Sequence, residues 1–81
     1  MRVTEIVPNL MYRVDTDARR AFRFYVAEDP LQGGGYAAIF EEEMMLRVGH
    51  YWDEMDMEAR GTTPEECREA AVKQLEQIVA A

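Results

Sequence analysis

The chain has one cysteine, Cys67, one histidine, His50, and one tryptophan, Trp52. A single cysteine excludes an internal disulfide framework and a cysteine-based structural zinc site within one chain. Long apolar runs are also missing. None approaches the roughly 18 residues that a membrane helix needs, and the N-terminus lacks the apolar core of a signal peptide, so the expected compartment is the cytoplasm. Positive charge is scarce: nine basic residues face sixteen acidic ones, for a net charge of −7. That sign argues against nucleic acid as a direct ligand. What remains is 81 residues that are 48% hydrophobic and 31% charged, the composition of one small globular domain spanning 1–81. No internal repeat, low-complexity stretch or linker divides it.

The acidic excess is lopsided. Residues 1–40 carry five basic groups (Arg2, Arg13, Arg19, Arg20, Arg23) and five acidic ones (Glu5, Asp15, Asp17, Glu28, Asp29) and sum to zero. Residues 41–81 carry four basic and eleven acidic groups, hence the whole −7. Like charges gathered in one half steer an oppositely charged partner, although they also serve solubility.

The clearest local signal is Thr63-Pro64-Glu65-Glu66. It sets a hydroxyl at the N-cap, proline at the first helical position and glutamate three residues on. Apolar residues follow at Cys67, Ala71, Leu75 and Ile78, so the spacing predicts an amphipathic helix over 64–79. Upstream, 54–60 alternate strictly, with Met55, Met57 and Ala59 against Glu54, Asp56, Glu58 and Arg60, which predicts a strand. Residues 44–51 also alternate and read as a strand, with Tyr51-Trp52-Asp53 as the turn between the two. Residues 36–41 read as an apolar strand after a turn made by Asp29-Pro30-Leu31-Gln32 and Gly33-Gly34-Gly35. The β-branched and aromatic content of 21–28 favours a strand over a helix. A short edge strand at 10–14 would hairpin to it, and Val3 to Val7 form an apolar stretch broken by Pro8. The expected fold is α+β: an antiparallel sheet of three to five strands with one C-terminal amphipathic helix packed on one face.

This order of features resembles the HicB-like antitoxin domain. The likeness runs over about residues 21–79. It rests on a glycine turn leading to Gly35-Tyr36-Ala37-Ala38-Ile39-Phe40 and on a final strand and helix start, Ala59-Arg60-Gly61-Thr62-Thr63-Pro64-Glu65-Glu66-Cys67. Gly61, Thr63, Glu65 and Glu66 match the family's Gly-x-Thr-x-Glu-Glu-Ala, with Cys67 in the alanine place. Where the family carries Pro-Asp-x-Pro-Gly, this chain has Glu41-Glu42-Glu43-Met44-Met45, and the 81 residues include no DNA-binding extension. The resemblance implies a β-β-β-α sheet and a role in masking another protein, often a small basic ribonuclease, and no enzyme.

Sites of chemistry are few. His50, in an alternating strand without a second histidine or an activated serine, reads as structural, and Cys67, on the apolar stripe of the helix, as a core thiol. Asp53-Glu54-Met55-Asp56 lacks the glycine and ligand spacing of a calcium loop, and the glycine triplet lacks the lysine of a phosphate loop. No cofactor or metal is expected. The acidic row Glu54, Asp56, Glu58, together with Glu41, Glu42, Glu43 and Asp53, instead suits the arginines and lysines of a partner's nucleic-acid groove, with carboxylates standing in for phosphates. Met45, Tyr51 and Trp52 would form the apolar anchor. Two versions fit this pattern: an antitoxin neutralising a toxin ribonuclease, and a phage-type DNA mimic inhibiting a host defence nuclease such as a CRISPR effector. The alternative is a homo-oligomeric structural or small-molecule-binding domain that closes its open sheet face by dimerisation.

Overall fold

The computed structural model describes residues 1–29 and 33–80. It is α+β, with an antiparallel six-stranded sheet and one C-terminal helix. β1 (Arg2–Val7), β2 (Met11–Asp15), β3 (Ala21–Glu28), β4 (Tyr36–Leu46) and β5 (Gly49–Glu54) form a meander in chain order. The short β6 (Ala59–Gly61) returns to the first half of β4, beside Tyr36–Ala38, while β5 pairs with the second half from Glu41 onward. β5 and β6 therefore lie end to end along one edge of β4. α1 (Pro64–Ala80) crosses β3, β4 and β6 on one face of the sheet.

The core follows from strand alternation. Register sets Tyr12, Phe24 and Phe40 side by side across β2, β3 and β4, and Val14 beside Phe22 in the next row. The Tyr12 and Phe24 rings stack with centroids 5.1 Å apart, and Phe24 meets Phe40 at 5.8 Å. Against these pack Cys67, Ala71 and Leu75, one residue per helical turn, all fully buried. Burial pushes the Cys67 thiol above its ordinary pKa, although Arg60 pulls the other way, as befits a core thiol.

The helix begins as its capping signal requires. Thr63 Oγ1 accepts the Glu66 amide at 3.1 Å, and the Glu66 carboxylate reaches back to the Thr62 amide at 2.9 Å. Hydrogen bonds from the Thr62 hydroxyl and then from the Thr62 amide hold the Glu66 carboxyl below the usual range. The helix start is laid directly on Gly61, where an added Cβ would lie 2.4 Å from the Cys67 amide nitrogen. Gly35, at φ +88°, also packs tightly, with the Gly61 carbonyl oxygen 2.8 Å from the place of its missing Cβ.

Three strand expectations need correction. Residues 44–51 are not one strand: β4 runs on through the glutamates to Leu46, the chain turns at Arg47-Val48, and Tyr51–Asp53 lie inside β5. Gly49, at φ +149°, directly follows that turn and takes up a conformation that other residues resist. The strand expected over 54–60 is reduced to Ala59–Gly61. The chain leaves the ladder after Met55, whose amide donates to the Phe40 carbonyl at 2.9 Å, and steps inward to begin β6. Its alternation survives as burial, with Met55, Met57 and Ala59 turned to the core and Asp56 and Glu58 exposed. The strand at 11–15 is no edge, because β1 pairs outside it, and this brings the strands to six. The turn expected at Asp29–Gln32 falls largely outside the described residues.

Gly61→Ala is expected to destabilise the chain by about 1–3 kcal/mol, the usual cost of overpacking, because the new methyl group meets helix backbone that cannot move aside. Urea denaturation followed by circular dichroism measures it.

Candidate functional site

Beyond Phe40 the sheet changes character. Positions 42, 44 and 46 of β4 continue the covered face, but α1 makes no close approach to β5, the strand beside them, and Met44 and Leu46 are exposed. The hairpin of Glu41–Leu46 and Gly49–Glu54 is an arm held by charge as well as by its ladder. Glu41 points to the open face and accepts Arg23 Nε at 2.6 Å. Glu42 points to the opposite face and takes Arg20 in a two-pronged pair at 2.7 and 2.9 Å. Glu43, again on the open face, meets His50 Nδ1 at 2.8 Å and Arg13 Nη2 at 3.4 Å. Arg13 also holds Asp15 at 3.1 Å. The hydrogen bond and the positive charge of Arg20 keep the Glu42 carboxyl below its ordinary pKa against the opposing effect of burial, and the same hydrogen bond raises Arg20.

Trp52 stands directly across from Glu43 on the open face, half-buried. The Arg23 guanidinium lies 4.3 Å from its ring centroid and that of Arg13 5.6 Å. The expected anchor is thus divided. Met45, 74% exposed, shares the open face with Trp52, whereas Tyr51 projects from the other face opposite Met44. Val48, 96% exposed, forms the tip. His50 supports the arm from the open face.

The acidic row is placed differently from the glutamate triplet. Glu54 on β5, then Asp56 and Glu58 on the connection to β6, line one open groove of about 600 Å³ with Asp29 and Arg60. Ala37, Ile39, Met55 and Met57 give it apolar walls. Arg60 Nη1 binds Asp29 at 2.7 Å and Glu58 at 3.0 Å, while Glu54 and Asp56 have no ion-pair partner among the described residues. Asp53, opposite Glu42 and facing away from the groove, has none either. Of the expected acidic residues, Glu54, Asp56 and Glu58 come together; Glu41, Glu42 and Glu43 are shared between two faces and matched to arginines. The arginines at 13, 20 and 23 are the residues that sequence reasoning missed. Their one signal was that a neutral first half still holds the cations able to meet Glu41–Glu43 across strands.

Among the described residues, no three of His, Cys, Asp and Glu gather into a group able to hold a metal ion, and no helix is long and apolar enough to cross a membrane. No protein-family model, curated protein or solved structure matches this chain.

The Arg20–Glu42 pair has a pH signature. A carboxyl whose folded pKa is lowered stabilises the fold above the ordinary glutamate range, and that contribution is lost as pH falls through the lowered value. Arg20→Ala is therefore expected to lower stability at neutral pH and to change little in strong acid, where Glu42 is protonated in both chains. Urea midpoints at the two pH values test this.

Proposed function

We propose that this chain is a small acidic, non-enzymatic protein-binding module that masks the basic nucleic-acid-binding surface of a partner protein. The observation that carries the reading is the groove of Glu54, Asp56 and Glu58. Its carboxylates stand beside apolar walls, and among the described residues no arginine of the chain itself matches Glu54 or Asp56. An arginine or lysine of a partner has two parts, an apolar stem and a charged head, and such a groove suits both. Glu41, Glu42 and Glu43 then act from within, fixing the arm that carries Met45, Tyr51, Trp52 and Asp53 rather than meeting the partner's cations first. The resemblance to the HicB-like antitoxin domain implies the same role. An antitoxin against a ribonuclease and an inhibitor of a host defence nuclease remain the two versions.

One observation favours the homo-oligomeric reading. Ile39 and Met45 lie 49% and 74% exposed on the open face, away from the helix, so a second copy closing over that face would bury them.

The test is capture from a nuclease-treated lysate with the purified chain as bait, at low and high salt. The expected result is a stoichiometric basic nucleic-acid-handling protein, released by salt and lost with Glu54→Lys/Asp56→Lys/Glu58→Lys. The same charge change on the outer helix face, Glu65→Lys/Glu69→Lys/Glu76→Lys, leaves capture intact. Equal loss with both triple variants would reduce the effect to net charge, and retention with the first would overturn the groove's role.

A further inference from the structure

The sheet has two edges, and they are not alike. β1 carries a bulge between Glu5 and Val7 and is followed by Pro8, two devices that blunt an edge against further pairing. β5 has neither: its register against β4 is unbroken from Gly49 to Glu54. Its backbone phase is fixed by the Met55 amide bonded to the Phe40 carbonyl. Antiparallel ladders alternate, so Gly49, Tyr51 and Asp53 turn their amides and carbonyls to β4, while His50, Trp52 and Glu54 turn theirs outward.

We propose that β5 pairs antiparallel with β5 of a second copy of this chain, in the register that sets Trp52 opposite Trp52 and His50 opposite Glu54. The two-fold axis of such a dimer stands perpendicular to the sheet, so residues that face each other across it lie on the same face, and the pairs that exchange main-chain hydrogen bonds are those with outward backbone groups. Trp52 with Trp52, and His50 with Glu54 twice, meet both conditions. On the other face the same register sets Tyr51 opposite Asp53, twice. Every acidic side chain of the strand thereby meets a hydrogen-bonding partner, around a central aromatic pair. The neighbouring registers do worse. Centring on Tyr51 leaves Glu54 opposite Val48, and centring on Asp53 sets two carboxylates against each other.

Edge pairing uses main-chain groups and leaves both faces open. The dimer thus keeps an open face on which Asp56 and Glu58 of the two copies flank the axis, while each Glu54 is shared with His50 of the other copy. The inference does not depend on the masking role, since it is read on the pure chain.

Sedimentation equilibrium of the whole chain over a concentration series tests it, with circular dichroism to confirm that each variant is folded. The wild-type chain is expected to reach twice its 9.4 kDa mass. Glu54→Lys, which sets a lysine opposite His50, is expected to weaken the dimer about tenfold, as loss of two cross-strand pairs should. His50→Glu/Glu54→Lys sets a carboxylate opposite each lysine and is expected to restore it. A monomer at every concentration, a dimer equally tight with Glu54→Lys, or a double variant no tighter than the single would each overturn the proposal.

Discussion

Seventeen helical residues span roughly 25 Å, whereas the molecule is 43 Å long. That mismatch governs the architecture. The helix is pinned at its start, where its first turn rests on Gly61 and β6, and it runs from there over β3 and the first half of β4. The buried aromatic row ends with Phe40. From Glu41 onward β4 runs beside β5, which the helix does not approach, and its continuation depends on what the sheet itself supplies.

The sheet supplies charge. Arg13, Arg20 and Arg23 come from β2, β3 and the turn between them, and each meets one of the glutamates with which β4 leaves the core. Half-buried pairs of this kind specify geometry more than they stabilise it. Here they fix which glutamate lies on which face, and they seat Trp52 beneath two guanidinium groups. The negative charge left for a partner is therefore displaced from the triplet to the groove between β5 and β6. The same arrangement leaves the outer edge of β5 straight, aromatic and free of the bulge that closes the other edge.

Sequence periodicity made the helix, its cap and β3 legible, because each is decided by residues within one or two turns of one another. Phe22, Phe24 and Val26 alternate, and Thr63 and Glu66 cap the helix that starts at Pro64. The arm was not legible in this way. Residues 44–51 alternate on both sides of the Arg47-Val48 turn, so alternation alone could not locate it, and the bulky Tyr51-Trp52-Asp53 segment looked like a boundary. The long reach of β4 depends on pairs 18 to 30 residues apart in sequence, which no local pattern exposes. The acidic row kept its alternation and lost its strand, because β5 and β6 share one edge of β4 and the chain must break between them.

Residue-resolved amide exchange on the native chain, at low protein concentration and at two salt levels, tests the division at Phe40 most directly. The account predicts that the amides of Tyr25 and Ile39 open only with global unfolding. Those of Met44 and Tyr51, bonded within the arm, exchange faster by local opening and faster still at high salt. Protection of Met44 and Tyr51 equal to that of Tyr25 and Ile39, unchanged by salt, would contradict it.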